Sequence, residues 1–207
     1  MFSIVTLIPS LLVLSGLVHA APPVLGQALD DVDDFTIVDL SWDLPINPNN
    51  PDGAKSTVTG TIEQAIAKME AAYPGWNATF RATLPADINA TRTALDDVEI
   101  DCKIKTDMAN ILAIKWGIHY LRGVTGKAKN GPGPKNCGRV SCSWDSAIYW
   151  CNEDTISKEL DWEQIADGAQ TVLDNCAGVM KVKGQVSYKK DKWSTVVRFP
   201  KGSEGNC

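Results

Sequence analysis

The sequence predicts an α+β fold in which two helices pack on one face of an antiparallel sheet, preceded by an N-terminal extension carrying one helix. Three observations predict it. Residues 98–104 alternate cleanly, with Val98, Ile100, Cys102 and Ile104 on one face and Glu99, Asp101 and Lys103 on the other, the pattern of a half-buried strand. Two capped segments with helical apolar spacing follow it. Two hairpin patterns complete the C-terminal half. The order β-α-ββ-α-ββ makes a layer of helices on an antiparallel sheet.

Residues 21–50 run from Ala-Pro-Pro to Pro-Asn-Asn-Pro, with a short strand-like stretch at 35–40, so loop or extended structure is expected. Thr61-Ile62-Glu63-Gln64 has the form of a capping box. Ile62, Ala65, Ile66, Met69 and Tyr73 then recur at helical spacing, and Pro74-Gly75 stops a helix expected over 62–73. After the strand at 98–104, Thr106 or Asp107 is expected to cap a helix ending at Arg122. Met108, Ile111, Leu112, Ile114, Ile118 and Leu121 make it apolar nearly all round, so it is expected to be well buried. Gly123 ends it. Residues 123–136, rich in Gly, Pro and Lys, read as a loop. Strands at 139–143 and 147–152 flank Trp144-Asp145-Ser146 as a hairpin. Asp161-Trp162-Glu163-Gln164 caps a helix whose inner stripe is Ile165, Ala169, Val172, Leu173 and Cys176. Strands at 182–188 and 193–199 form a second hairpin around 189–192.

The chain divides accordingly into residues 1–20, 21–97 and 98–207. Residues 4–17 are almost wholly apolar, and Val18-His19-Ala20 places small residues at the first and third positions before a cleavage point. This is a signal peptide, too short for an ordinary membrane span. A secreted, extracellular chain without a transmembrane segment is expected. Residues 21–101 hold 4 Lys/Arg against 14 Asp/Glu, net −10, whereas 102–207 hold 16 against 11, net +5. An acidic region thus precedes a basic, cysteine-bearing module. The acidic segment 30–43 is expected either to fold back on that module and mask it or to be a removable pro-segment.

All six cysteines, Cys102, Cys137, Cys142, Cys151, Cys176 and Cys207, lie in the basic half. An even count behind a signal peptide argues for three disulfides, with 15 pairings open. A bridge from Cys176 to a strand cysteine would clip helix to sheet, a contribution of about 2–4 kcal/mol. Zinc is disfavoured, because there is no C-x2-C pair and the only histidine after the signal peptide is His119. No metal or other cofactor is indicated. The sequons at Asn77 and Asn89 are glycan acceptors in a secreted eukaryotic chain.

Catalysis finds few instruments here. A Ser-His-Asp or Cys-His site would have to use His119, which sits inside the apolar helix, and paired cysteines leave no thiol nucleophile. Glu153-Asp154 and Asp161 with Glu163 are the paired carboxylates a glycosidase would need, but helix starts favour acids anyway. No phosphate-binding loop is present. A non-enzymatic protein is expected. Arg122, Lys127, Lys129, Lys135 and Arg139 gather in a Gly- and Pro-rich stretch, and Lys127, Lys129, Lys135 and Arg139 are the candidate binding residues. Lys189, Lys190 and Lys192 form a second basic tip. Such tips suit acidic headgroups, a channel mouth or an anionic polysaccharide. Nucleic acid is not expected, since no aromatic is interleaved. Trp144, Trp150, Trp162 and Trp193 read as core residues or, if exposed, as a sugar-stacking platform.

The segment Cys137-Gly138-Arg139-Val140-Ser141-Cys142-Ser143-Trp144-Asp145-Ser146-Ala147-Ile148-Tyr149-Trp150-Cys151-Asn152 resembles a stretch met in small secreted proteins of filamentous fungi. So do Gly60-Thr61-Ile62-Glu63, Tyr73-Pro74-Gly75-Trp76 and Trp193-Ser194-Thr195-Val196-Val197-Arg198. The element order over 98–199 is similar to the killer-toxin-like α/β sandwich of smut killer toxins and necrosis-inducing effectors. The resemblance implies an extracellular, disulfide-bonded, non-enzymatic effector or toxin that acts on a host or competitor cell-surface protein, membrane or wall component. The acidic extension is a departure from that family. The alternative reading is a secreted polysaccharide-binding or carbohydrate-active protein.

Overall fold

A computed structural model describes residues 35–86, 98–201 and 207. The expected signal peptide at 1–20, Asp30 to Asp34 and Asn89 lie outside the described residues. The N-terminal part forms strands β1 (Thr36–Val38), β2 (Ser41–Pro45) and β3 (Lys55–Thr59), then helices α1 (Ile62–Ala72) and α2 (Trp76–Thr83). The C-terminal part forms β4 (Glu99–Asp101), β5 (Ala109–Asn110), α3 (Ile111–Gly123), β6 (Lys127–Asn130), β7 (Asn136–Ser143) and β8 (Ser146–Asn152). It ends with β9 (Lys158–Asp161), α4 (Trp162–Cys176), β10 (Lys181–Val182), β11 (Gly184–Tyr188) and β12 (Trp193–Arg198).

The fold is mixed α+β, with four helices among the described residues and a mainly antiparallel sheet. The six-stranded sheet runs β1-β7-β8-β12-β11-β4. Every pairing in it is antiparallel except the edge pair, where Thr36, Ile37 and Val38 run parallel to Asn136, Cys137 and Gly138. Side chains alternate across it as the two-residue strand period requires. Val140, Ile148, Trp150, Val186, Trp193 and Val197 point to one face and join the main core. Cys137, Cys142, Ala147, Tyr149, Cys151 and Val196 point to the other, where Ile104 is buried and Phe35 and Ile37 pack. There the guanidinium of the buried Arg198 lies 4.5 Å from the Tyr149 ring centroid, a cation–π contact.

Helices α3 and α4 sit on the first face. A Cβ at Gly117 of α3 would strike Ser141 and Ile148, and one at Gly168 of α4 would strike Thr195. Those two glycines let the helix backbones approach the strands. Both expected capping boxes are formed. Thr61 and Gln64 cap α1 reciprocally, as Asp161 and Gln164 cap α4. The β7–β8 hairpin turns at Trp144-Asp145, and β11–β12 forms the second hairpin.

Five expectations need correction. The strand expected over 98–104 is only β4, and Ile104 turns to the second cluster while Val98 and Ile100 pack on the main core. The helix expected from Thr106 or Asp107 starts at Ile111, capped by Asn110, whose Oδ1 accepts from the N–H groups of Leu112 (2.8 Å) and Ala113 (3.4 Å). The preceding backbone is engaged elsewhere: Phe199 N–H donates to the Asp107 carbonyl, and β5 pairs with β10. This helix is not buried all round, for its outer face leaves Leu112 and Trp116 in water. The stretch read as a loop at 123–136 contains β6, antiparallel to β9, with Ala128 and Asn130 turned inward. The N-terminal part carries two helices rather than one. Chain reversal at Pro74-Gly75 starts α2, whose first N–H groups are satisfied by the Glu70 carboxylate, 2.9 Å from Gly75 N and 2.7 Å from Asn77 N. Those hydrogen bonds hold the Glu70 pKa below the ordinary value.

The acidic N-terminal part is built into the main core. Leu40 lies over Gly138, and the indole of Trp42 stacks on Trp162 with centroids 3.9 Å apart. Trp42 Nε1 donates to the Gly60 carbonyl at 2.7 Å and Trp76 Nε1 to the Pro45 carbonyl at 2.8 Å. Ile62, Met69 and Phe80 join the same cluster as Ile114, Leu121 and Ile165. Residues 35–45 therefore do fold back on the basic module, as interior structure.

Candidate functional site

The six cysteines form three pairs. Cys102–Cys176 joins the end of β4 to the end of α4, the helix-to-sheet clip expected of Cys176. Cys137–Cys151 crosses between directly opposed residues of β7 and β8, and Cys142–Cys207 fixes the C-terminal residue to β7. No cysteine of the six is free. Three bridges fit an oxidising compartment. No helix among the described residues is long and apolar enough to cross a membrane.

The four candidate basic residues do not converge. Lys127 and Lys129 project from β6, where Lys129 pairs with Glu159 at 3.3 Å in full solvent, a geometry worth little. Lys135 precedes β7, with its backbone N–H directed at the Glu153 carboxylate. Arg139 lies opposite Tyr149 on β7 and lines a cleft beside α1. The second basic tip is interleaved with acids, Lys189 with Glu99 and Lys192 with Asp154. Glu153 accepts from Ser194 Oγ, Asp154 pairs with Lys158 and Lys192, and Asp161 serves as a helix cap. Glu153, Asp154 and Asp161 are thus engaged in structural contacts, and Glu163 is exposed in the first turn of α4. Asn77 sits in the first turn of α2, with its Oδ1 accepting from Arg81 Nε at 3.1 Å.

His119 is not a core residue. It lies half-buried on the outer face of α3, edge-on to Trp116 at 5.6 Å. Partial burial, and then the Arg122 charge, lower its pKa below the ordinary imidazole value. Glu63 is a carboxylate the sequence did not single out. Its Oε1 accepts from Ser141 Oγ (2.6 Å) and its Oε2 from Cys142 N–H (2.9 Å), bonding α1 to the sheet. Burial raises its pKa, against the pull of those two bonds.

Of the seven tryptophans, Trp42, Trp76, Trp150, Trp162 and Trp193 are buried. Trp144 and Trp116 are not, at 85% and 42% exposure. Trp116 belongs to an apolar surface at the start of α3. Ile111 N–H donates to the Met180 carbonyl at 3.1 Å, and Asn110 pairs with Lys181, so Val179 and Met180 are brought beside the first turn of α3. Leu112 is 62% exposed, Met180 69% and Val179 99%, with Met108 alongside and Trp116 one helical turn on. Large side chains left together in water on a monomer mark an interaction surface. Asp107, Lys115 and Lys181 are the sequence neighbours of Met108, Trp116 and Met180. The periodic apolar pattern of α3 was the available signal, but it read as burial.

Compared with known proteins, the chain matches no protein-family model, no curated protein and no solved structure at the threshold applied.

Proposed function

We propose that the protein is a secreted fungal effector or toxin-like protein that acts without catalysis on the surface of a host or competitor cell. The observation that carries this reading is the apolar surface of Met108, Leu112, Trp116, Val179 and Met180, which the fold leaves in water although it buries five tryptophans elsewhere. Its occupant on this reading is a cell-surface protein. A bilayer-facing surface is rich in Lys and Arg on its polar side, whereas the charged sequence neighbours of this surface are mixed, Asp107 beside Met108 with Lys115 and Lys181 beside Trp116 and Met180. An apolar centre with a mixed polar rim is the anatomy of a protein–protein interface. Two further features support the reading. The three disulfides suit extracellular life, and the longer elements of the C-terminal part keep the order β-α-ββ-α-ββ on which the sequence resemblance rests, with the short strands β5, β6, β9 and β10 between them. A signal peptide over residues 1–20 and a glycan on Asn77 belong to the same reading.

The experiment is direct. The purified chain from residue 21 onward is infiltrated into leaf tissue and added to growing competitor fungal cells. Tissue collapse or growth arrest in one of the two is the expected outcome. Absence of any response in both overturns the proposal.

A further inference from the structure

A second surface feature lies apart from the apolar end. Between the first turns of α1 and the β7–β8 turn is an open cleft of about 490 Å³, lined by Glu63, Gln64, Ala67, Arg139, Ser143 and Trp144, with the Cys142–Cys207 bridge in its wall. That volume lies within the ~300–1,000 Å³ usual for small-molecule sites. Neither Leu112 nor Met180 lines it.

Trp144 stands in strained backbone and is left in water. Trp144 and Asp145 both adopt left-handed backbone, with φ of 51° and 52°. A two-residue hairpin turn of this kind suits Asn-Gly, because Cβ crowds the backbone at positive φ. The indole is also 85% exposed, so it gains little from burial. A bulky aromatic kept at a strained, exposed position points to a role outside the fold. On the polar side of the cleft, Glu63 is fixed. The Glu63 carboxylate is held at both oxygens, by Ser141 Oγ–H at 2.6 Å and Cys142 N–H at 2.9 Å, so its remaining lone pairs have set directions. The Arg139 guanidinium supplies planar donors. An indole in the same cleft as a fixed carboxylate and an arginine matches a pyranose ring, whose C–H face stacks on the aromatic while its hydroxyls bond the charged groups.

We infer that this cleft binds a short stretch of oligosaccharide, with Trp144 as the stacking platform and Glu63 and Arg139 as the hydroxyl partners. The site is distinct from the apolar end, so either function can fail without the other.

The test is isothermal titration of the folded protein with short soluble β-glucan, chitin and galacturonan oligosaccharides. The three arms identify which sugar class is bound. Wild type is expected to bind one class saturably. Trp144→Asn is expected to bind that class at least about 30-fold more weakly, while melting about 2–6 °C higher because the turn is relieved. Ala67→Arg, on the exposed side of α1, is expected to block binding with Trp144 intact and with unchanged melting. Failure of wild type to bind any of the three classes overturns the inference. So does undiminished binding by Trp144→Asn.

Discussion

Replacing Trp42 with alanine is expected to cost about 3–5 kcal/mol of unfolding free energy, the range for truncating a large buried aromatic. Three losses combine. The side chain is fully buried, so its apolar area returns to water and a cavity remains. The stack on Trp162, 3.9 Å between centroids and 9° from parallel, disappears; such pairs contribute about 0.5–1.5 kcal/mol beyond their area. The Gly60 carbonyl loses the Nε1–H donor at 2.7 Å. Trp42→Phe keeps most of the stack and loses the hydrogen bond, so about 1–3 kcal/mol is expected. Denaturant unfolding followed by circular dichroism measures both. A cost below about 1 kcal/mol for the alanine variant would mean that residues 36–45 lie on the module instead of completing its core, and the pro-segment reading would return.

The second large effect concerns Arg122 and Asp167, which join α3 to α4. Their charged groups are 3.1 Å apart, and the side chains are only 6% and 4% exposed. Asp167→Ala is expected to destabilise by about 3–5 kcal/mol, because it strands a buried guanidinium. The pair itself is a different matter. Removing two charges from water costs nearly what their attraction returns, so the double variant Arg122→Met with Asp167→Leu is expected to unfold within about 1–2 kcal/mol of wild type. Unfolding free energies of the single and double variants settle it. Equal damage in both would show that shape rather than charge holds the helices together.

Much of this architecture was readable in advance where the controlling physics is local. Thr61–Gln64 and Asp161–Gln164 carry their own capping chemistry within four residues, and both helices start there. The hairpins at Trp144-Asp145 and 189–192 follow from alternation around the turns. A clip from Cys176 to a strand was legible from its inward position, but Cys102 and Cys142 were equal partners for it in the sequence. Non-local competition hid the rest. Thr106 and Asp107 are good caps in isolation, yet pairing of β5 with β10, more than seventy residues on, takes up that backbone and moves the start of α3 to Asn110. Lys127-Ala128-Lys129-Asn130 alternates, but one alanine is a weak apolar signal, and its partner β9 lies 30 residues away. The candidate sites were less legible than the fold. Clustering in sequence suggested that Lys127, Lys129, Lys135 and Arg139 act together, whereas strand alternation sends Arg139 to the cleft and the two β6 lysines to solvent. An apolar α3 says nothing about which of its faces lacks a partner. That is decided by where α4, β7 and β8 sit, and it leaves Leu112 and Trp116 outside.

The proposed role rests on that apolar surface, and one comparison tests it most directly. Leu112→Asp combined with Met180→Asp places two charges in its centre. Both side chains are exposed, so thermal unfolding is expected to match wild type to within about 0.5 kcal/mol per site. The cellular response in leaf tissue or competitor cells is expected to be abolished at doses where wild type is fully active. A folded double variant that retains the full response would contradict the account.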